Sequence, residues 1–486
     1  MGKVLENRET FMKFYQMKKD LIITEASVYF HKQEKEVKWK PSAREGSLLS
    51  YISTTPLLHH FWIYAGISNK ALNEIVKLNI NINTGKVQWE KPKEGEIQKQ
   101  KDNKFGRYGN SAVSLNIKHN EGCEKAERVI YYYGGGEMFN QLTKTRDCIN
   151  QMIKFVPSTG EFSTVKQSGV VHIPRRYHTT CSFGKYMFIH GGINNLGKTL
   201  KDVQIFDITT NNWVNSQIVP ESLNKYMKGS FENLQDPRDD WGPDGLYYHK
   251  WTSVFYPQRQ EYWKNFMNSP LLFQEFEDPL ISMQKLKWGK IENFIAQEGI
   301  YFFGGKKNFG DLNGDLWCLK IKNKARVEAA KHRKEHNNNK NIKYTATAKD
   351  LLTHWYLQWE KIETQGKGPW ERYAHCCHYY SELNSILIYG GRSNKIDNPI
   401  LNDISLLRMD NFSWMTIKYT GNRPMARANF GSTLVGSKLV IFGGINEKLL
   451  PSNKICMIEF NQKTVEEIVQ REKEEKERKR ISYAMQ

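Results

Sequence analysis

Six short apolar runs, each ending in glycine, recur along the chain. A continuous apolar run of strand length predicts a strand that is covered on both faces. A glycine at the end of such a strand permits dihedrals that are closed to residues with a Cβ, and it lets a neighbouring backbone come close. The pattern therefore predicts six buried strands with crowded ends. The closing glycines are Gly66, Gly134, Gly135, Gly191, Gly192, Gly304, Gly305, Gly390, Gly391, Gly443 and Gly444.

The segments around each glycine closure also repeat. A strand precedes the apolar run, and a second apolar strand follows it after a polar loop. A turn and an aromatic strand then complete the unit, with Trp89, Trp213, Trp359 and Trp414 as the aromatic residues. Four antiparallel strands recurring about every fifty residues are typical of β-propeller blades, which cover one another's faces around a central axis.

A short polar signature introduces the first strand of several units. It reads Pro369-x-x-Arg372-x-x-His375, and copies occur at Arg175 with His178 and at Arg427. Weaker copies begin at Arg107 and, less clearly, at Arg238. Together with the glycine doublets and the aromatic strands, this signature resembles the kelch repeat family over roughly residues 37–463. The resemblance implies an all-β propeller that binds other proteins, in which these signature residues serve the architecture.

The spacing of the glycine closures predicts the number of blades. Most intervals fit one blade, but those of 113 and 86 residues are longer. We interpret them as insertions at about residues 220–290 and 324–350 and predict six blades. The alternative is a degenerate seventh blade within the first insertion, but its aromatic strand would lie too close to the next closure.

The two insertions are the predicted contact segments for partners. The first is rich in aromatic residues, and large apolar side chains outside a core usually mark interaction sites. In the second, residues 324–349 carry eight Lys or Arg against two acidic residues. The candidate partner-binding residues are Trp263, Phe266, Phe273 and Phe276 in the first insertion and Lys331, Arg333 and Lys334 in the second.

The ends of the chain suggest how the ring closes. Residues 1–36 are an N-terminal extension in this interpretation, and the segment around Trp39 supplies the missing aromatic strand of the sixth blade. Residues 464–486 begin with a capping box at Thr464 and carry Glu and Lys or Arg pairs at helical spacing, which predicts a charged C-terminal helix.

The amino-acid composition indicates what kind of partner the protein binds. The net charge of +19 indicates an acidic partner, such as an acidic protein surface or a nucleic acid. No apolar run reaches the length of about 18 residues that spans a bilayer. The start of the chain has no apolar core of a leader peptide, and the seven cysteines form no paired motif, so a cytoplasmic location is expected.

Candidate chemistry is sparse. His375, Cys376, Cys377 and His378 are adjacent, but strand neighbours point to opposite faces, so only His375 with Cys377, or Cys376 with His378, share a side. We therefore do not expect a metal site here. No nucleophile elbow, zinc-protease or phosphate-loop motif occurs. We therefore expect no catalytic residue, metal or cofactor.

The sequence as a whole favours a non-enzymatic scaffold that binds other proteins in a larger assembly. A cytoskeletal or ciliary place would suit the charge, since tubulin has acidic tails. The alternative is a propeller that binds RNA or a ribonucleoprotein, although no RNA-binding motif accompanies the positive charge. A propeller enzyme is the least favoured interpretation.

Overall fold

Six antiparallel sheets arranged around a central axis form the protein, as seen in a computed structural model. The prediction of an all-β, six-bladed propeller is therefore confirmed. The structure describes residues 21–29, 39–54, 58–81, 86–90, 106–117, 127–140, 145–219, 242–255, 297–322, 355–394, 397, 399–420 and 424–464.

Each blade is built from four strands in a meander, with the first strand nearest the axis. The strands of blades 1 to 3 are Leu48–Thr54, Leu58–Tyr64, Ile75–Asn81 and Val87–Glu90; Ser111–Ile117, Glu127–Tyr133, Met152–Val156 and Glu161–Thr164; and Thr179–Phe183, Tyr186–His190, Val203–Asp207 and Asn212–Val214. Those of blades 4 and 5 are Lys250–Val254, Gly299–Phe303, Leu316–Lys322 and Trp355–Ile362; and Cys376–Tyr380, Ser385–Tyr389, Ile404–Arg408 and Trp414–Thr416.

Blade 6 is formed by both ends of the described chain. Its strands Gly431–Val435, Lys438–Phe442 and Ile455–Thr464 are followed outward by the N-terminal strand Leu21–Tyr29, which pairs antiparallel with Ile455–Thr464. This register, from Leu21 opposite Thr464 to Tyr29 opposite Met457, closes the ring.

The closing strand was predicted at the wrong place. The segment around Trp39 does not pair in blade 6; Trp39 packs, partly buried, against the apolar cluster between blades 6 and 1. The apolar strand Leu21–Tyr29, which lies within the predicted N-terminal extension, takes the position instead. Thr464, the predicted helix cap, is the last residue of a strand, and the helix prediction for residues 465–486 lies outside the described residues.

Short parallel strands connect neighbouring blades at their outer edges. Ser216–Ile218, which follows blade 3, pairs with the outer strand of blade 4. Lys418–Thr420, which follows blade 5, pairs with Leu21–Tyr29 of blade 6. The remaining elements are the hairpin Gly136–Asn140 with Thr145–Cys148 and the 3-10 turns Asn308–Gly310 and Ser381–Leu383.

The hydrophobic core of the described residues lies between the blades. One apolar cluster fills each of the six interfaces, for example Tyr301 of blade 4 against Ile386 and Leu407 of blade 5. The second strands Tyr186–His190, Gly299–Phe303 and Ser385–Tyr389 are buried on both faces, as their continuous apolar runs predict. A blade therefore has no complete core of its own and depends on its two neighbours.

Candidate binding face and central channel

Strand order divides the propeller into two faces. In an antiparallel meander, the connections from second to third strand and from blade to blade lie on one face, and the other connections lie on the opposite face. We call the first the doublet face, because the glycine doublets end the second strands there, and the second the turn face.

The signature arginines are buried beneath the doublet face and hold its loops. The Arg175 guanidinium donates to the Gly191 carbonyl at 3.0 Å and to both carboxylate oxygens of Asp202 at 2.9 and 2.8 Å. Arg372 makes the same contacts with the Gly390 carbonyl and Asp403. Five arginines, all at most 2% exposed, take this position: Arg44, Arg107, Arg175, Arg372 and Arg427.

Blade 4 departs from this arrangement. Leu246, fully buried, stands where the other blades have arginine. The Gly304 carbonyl instead accepts a hydrogen bond from the Asn313 side chain at 3.3 Å, and Asp315 pairs with Lys361 at 2.9 Å. The proposed copy at Arg238 is thus not the signature of blade 4, and Arg238 itself lies outside the described residues.

The glycine doublets are required by contacts between blades. A Cβ on Gly304 would lie 2.4 Å from the Arg372 carbonyl oxygen and 2.6 Å from the His375 ring of blade 5. A Cβ on Gly305 would lie 2.6 Å from the Cβ of His249 in its own blade. Both glycines also have positive φ, of 73° and 102°. The first glycine therefore gives room to the next blade, and the second to its own first strand.

The same crowding recurs around the ring. The side chain that meets the preceding blade's first glycine is His178 at Gly134, His249 at Gly191, His375 at Gly304 and Phe430 at Gly390, while Ser47 lies near Gly443. Gly192, Gly391 and Gly444 face the first strand of their own blades, as do Gly66 and Gly135.

The aromatic residues of the outer strands also pack across blade interfaces. Trp414 of blade 5 packs edge-on against Phe303 of blade 4, with ring centroids 5.6 Å apart. Three further tryptophans make similar contacts with the residue before the preceding blade's glycine closure. These pairs are Trp89 with Phe442, Trp213 with Tyr133 and Trp359 with His190.

The exposed apolar side chains of the described residues share one face. All eight large ones lie in second-to-third-strand or blade-to-blade connections, which places them on the doublet face. Leu196 is 90% and Trp370 50% exposed. Exposed apolar groups that cluster on one face mark an interaction surface. The eight are Val170, Val171, Ile173, Leu196, Phe309, Trp370, Leu449 and Leu450.

A tyrosine cluster lies at the centre of the doublet face. The Tyr177 and Tyr248 rings stack with centroids 4.0 Å apart, and Tyr108 and Tyr373 flank them at 5.8 Å. The Lys306 ammonium lies 5.2 Å from the centroid of the Tyr373 ring, a cation–π contact. Burial raises the pKa of Tyr177 to about 12, so its hydroxyl remains protonated at neutral pH.

A ring of backbone hydrogen bonds lies beneath the tyrosines. Tyr177 N–H donates to the Gly109 carbonyl at 2.6 Å, and Tyr248 N–H to the Tyr177 carbonyl at 2.9 Å. Ala374 and Asn429 continue the ring. Each ring residue has positive φ, for example 59° at Tyr177, a conformation that costs free energy in residues other than glycine.

Sequence reasoning missed this ring, the tyrosine cluster and the exposed apolar loops. One signal was present: the second residue after each signature arginine is Gly46, Gly109 or Asn429 in three blades, which are residue types that favour positive φ. Tyr247 and Tyr248 were assigned to the first insertion, although residues 242–255 belong to the propeller.

The predicted partner-binding residues of the two insertions lie outside the described residues. This holds for Trp263, Phe266, Phe273 and Phe276 and for Lys331, Arg333 and Lys334. Their role stays a prediction. Where the chain is described, no group of three or more His, Cys, Asp or Glu side chains is arranged to hold a metal ion. No helix in these ranges is long and apolar enough to cross a membrane.

The comparisons with protein families agree with this architecture. The KLHDC2/KLHL20/DRC7 Kelch-repeats domain matches residues 349–486, and the Kelch motif matches residues 174–216. The chain belongs to the kelch-repeat proteins. Proteins with such propellers typically interact with other proteins.

Among curated proteins, the chain is similar to host cell factor homolog hcf-1 of Caenorhabditis elegans, 32% identical over 18% of this chain and 12% of the relative. It is also similar to dynein regulatory complex subunit 7 of Chlamydomonas reinhardtii, 31% identical over 20% of this chain and 8% of the relative. The matches thus span a small part of these relatives. Kelch domain-containing protein 3 of Bos taurus is 22% identical over 62% of this chain and 65% of its own.

The solved structure titled "Structure of YjhT" aligns with 86% of this chain and 95% of its own, at a TM-score of 0.47 and 12% identity.

Proposed function

We propose that this protein is a non-enzymatic scaffold that binds another protein through its doublet face. The observation that supports this most is the placement of all eight exposed large apolar side chains of the described residues on that face. The tyrosine cluster at its centre adds flat, amphipathic surface of the kind that is enriched in protein interfaces.

The partner in this proposal has an acidic surface and belongs to a cytoskeletal or axonemal assembly. The net charge of +19 supports an acidic partner. Arg176 and Lys306 lie over tyrosine rings at the centre of the doublet face, where an acidic group could reach them. The similarity to a dynein regulatory complex subunit motivates the axonemal location. Microtubules, with their acidic tubulin tails, are the first filament to test.

Co-sedimentation with purified microtubules tests this proposal. The doubly substituted protein Leu196→Asp with Leu450→Asp should bind about tenfold more weakly, because both changes place charge in the apolar surface. Thr210→Asp, in an exposed turn on the turn face, is the matched control and should bind as the unsubstituted protein does.

Further measurements separate a filament partner from a nucleic-acid partner and test the role of the basic tract. Deletion of residues 324–349 should reduce binding further at low salt if that basic tract reaches the acidic tails. Equal binding of the Leu196→Asp, Leu450→Asp protein and the Thr210→Asp control would contradict a role for the doublet face. Binding to RNA with a steep salt dependence, and to no filament, would instead favour a nucleic-acid partner.

A further inference from the structure

Residues 170–173, in the connection from blade 2 to blade 3 on the doublet face, carry a run of exposed apolar side chains. Val170 is 64%, Val171 66% and Ile173 53% exposed. Apolar residues that are exposed so close together in sequence usually mark a contact site. We call residues 170–173 the valine segment.

The connection from blade 4 to blade 5 is built in the same way. Both connections begin with a parallel bridge to the outer strand of the following blade, continue with a glycine at positive φ and reach the signature arginine seven residues after the bridge. The arginine Nε donates to the carbonyl two residues before it, at 3.3 Å for Arg175 and 2.9 Å for Arg372. Positions 170–173 therefore correspond to positions 367–370. The bridging pairs are Ser168 with Asn212 and Gln365 with Ser413.

The two connections differ in character at the first three of these positions. Blade 5 has Lys367, Gly368 and Pro369 where blade 3 has two valines and a histidine. Lysine and proline are residues with which proteins protect an exposed edge against pairing, and proline also lacks an N–H. The fourth position, Ile173 or Trp370, is apolar and exposed in both connections. The connection itself therefore does not require the two valines.

The backbone of the valine segment has unused hydrogen-bonding groups. In the part of the chain that the structure describes, the N–H groups of residues 170–173 donate to no other residue, and the Val170 and Val171 carbonyls accept from none. The His172 carbonyl accepts from Asn150 Nδ2 at 3.1 Å, which fixes one side of the segment. Free polar backbone groups beside β-branched side chains are what an added peptide strand binds.

The valine segment is also anchored to its blade. The His172 ring packs edge-on against Trp213 of blade 3, with ring centroids 4.6 Å apart. Residues 171–175 contain no turn or helix, and Pro174 favours extended dihedrals at Ile173. A surface that is held in place before a partner arrives loses less conformational entropy on binding.

We propose that the valine segment is the docking site for an extended apolar stretch of the acidic partner, so this inference rests on the proposed function. The partner's stretch pairs with the free backbone groups, and its apolar side chains pack on Val170, Val171 and Ile173. Acidic residues beside that stretch suit Lys166, which is exposed just before the segment.

A second copy of this chain fits the segment less well. Three side chains from each copy would bury well under the about 1,200 Å² at which standard specific interfaces begin. Two copies that each carry a net charge of +19 would also repel each other. A partner that covers more of the doublet face supplies both the further area and the opposite charge.

Selection of phage-displayed random peptides on the full chain tests the proposal. We expect the selected peptides to alternate apolar and acidic residues. They should bind at least about tenfold more weakly to the protein with Val170→Lys and Val171→Gly, which copies blade 5. Lys367→Val, at the corresponding position of blade 5, is the matched control and should bind the peptides as the unsubstituted protein does. Both substituted proteins should keep their thermal midpoints, because the changed side chains are exposed.

Equal peptide binding by the doubly substituted protein and the Lys367→Val control would overturn the proposal, as would selection of no peptide with apolar residues. A dimer that Val170→Lys with Val171→Gly dissociates would assign the segment to a second copy and overturn it too.

The outcome for the valine segment is separate from that for the filament. If Leu196→Asp with Leu450→Asp weakens microtubule binding, whereas the valine substitutions change neither microtubule nor peptide binding, the doublet face binds but this docking site is wrong. If peptide binding depends on the valines and no microtubule binds, the docking site stands and the filament partner is wrong.

Discussion

Blades 4 and 5 are neighbours with the same four-stranded arrangement. They nevertheless differ in the side chain that donates a hydrogen bond to the carbonyl of the first glycine in the doublet. In blade 5 the Arg372 guanidinium reaches the Gly390 carbonyl, and the loop after the doublet contributes the apolar Leu401. In blade 4 the polar and apolar groups have exchanged places: Leu246 is the apolar residue, and Asn313 donates to the Gly304 carbonyl.

The difference shows which physical requirement both blades meet. A buried carbonyl needs a donor, because leaving it unpaired costs about 1–3 kcal/mol. The donor can come from the loop before the first strand or from the loop after the glycine doublet. The position in the other loop is then apolar and keeps the core filled. The signature arginine is therefore one of two solutions. Blade 4, with the other, also carries the long insertions on either side of its second and third strands.

The largest effect is expected at the interface between these two blades. Gly304→Ala should lower the free energy of unfolding by about 4 kcal/mol, from positive φ and from overlap with Arg372 and His375. Gly197→Ala is the control, because Gly197 has nearly the same φ, +72°, with no atom within 4 Å. Its cost should be about 1 kcal/mol. Urea unfolding measures both, and equal costs would show that backbone strain alone explains the doublets.

The sequence predicted the fold better than the site. Gly304, His375 and Trp414 belong to a repeat whose copies reinforce one another, so strands and blade number followed from their spacing. Tyr248 is matched by tyrosine only at Tyr177 of blade 3, and only the closed ring brings the two side chains together. The strand Leu21–Tyr29 was missed because it resembles its copies only in being apolar, and its partner lies at the other end of the chain.

A smaller loss of stability is expected when the arginine donor of blade 5 is replaced by the arrangement found in blade 4. Arg372→Leu should lower the free energy of unfolding by about 2 kcal/mol, because the Gly390 carbonyl loses its donor; Asp403 is partly solvated and adds little. Adding Leu401→Asn copies blade 4 and should restore about 1 kcal/mol. If the double variant is no more stable than Arg372→Leu in urea unfolding, the two solutions are not interchangeable.

The smallest effect of a substitution concerns the pH dependence of stability, and it separates blades 3 to 5 from the others. His178, His249 and His375 occupy a position where blades 1 and 2 have Ser47 and Asn110. Burial lowers the pKa of these histidines well below the ordinary value, so the folded protein holds them neutral. As pH falls below about 6.5, the unfolded chain binds protons that the folded chain does not, and stability decreases.

Each buried histidine should contribute about 1 kcal/mol per pH unit to this loss. We expect a lower urea midpoint at pH 5.5 than at pH 7.5. His178→Asn, which copies blade 2, should lose less stability than the unsubstituted protein over the same interval. An identical pH dependence in the two proteins would assign the effect to other groups.

The pairing of Leu21–Tyr29 with Ile455–Thr464 also has a consequence for biosynthesis. Within the propeller, Leu21–Tyr29 is synthesised before the other strands, and it can reach its partner only after nearly the whole propeller has been translated. Until then, Leu21–Tyr29 has no strand to pair with and is an unprotected edge. Two nascent copies on one polysome could each donate this strand to the other, since the same hydrogen bonds would form between chains. A strand-exchanged dimer is therefore the misassembly to look for when this protein is produced at high concentration.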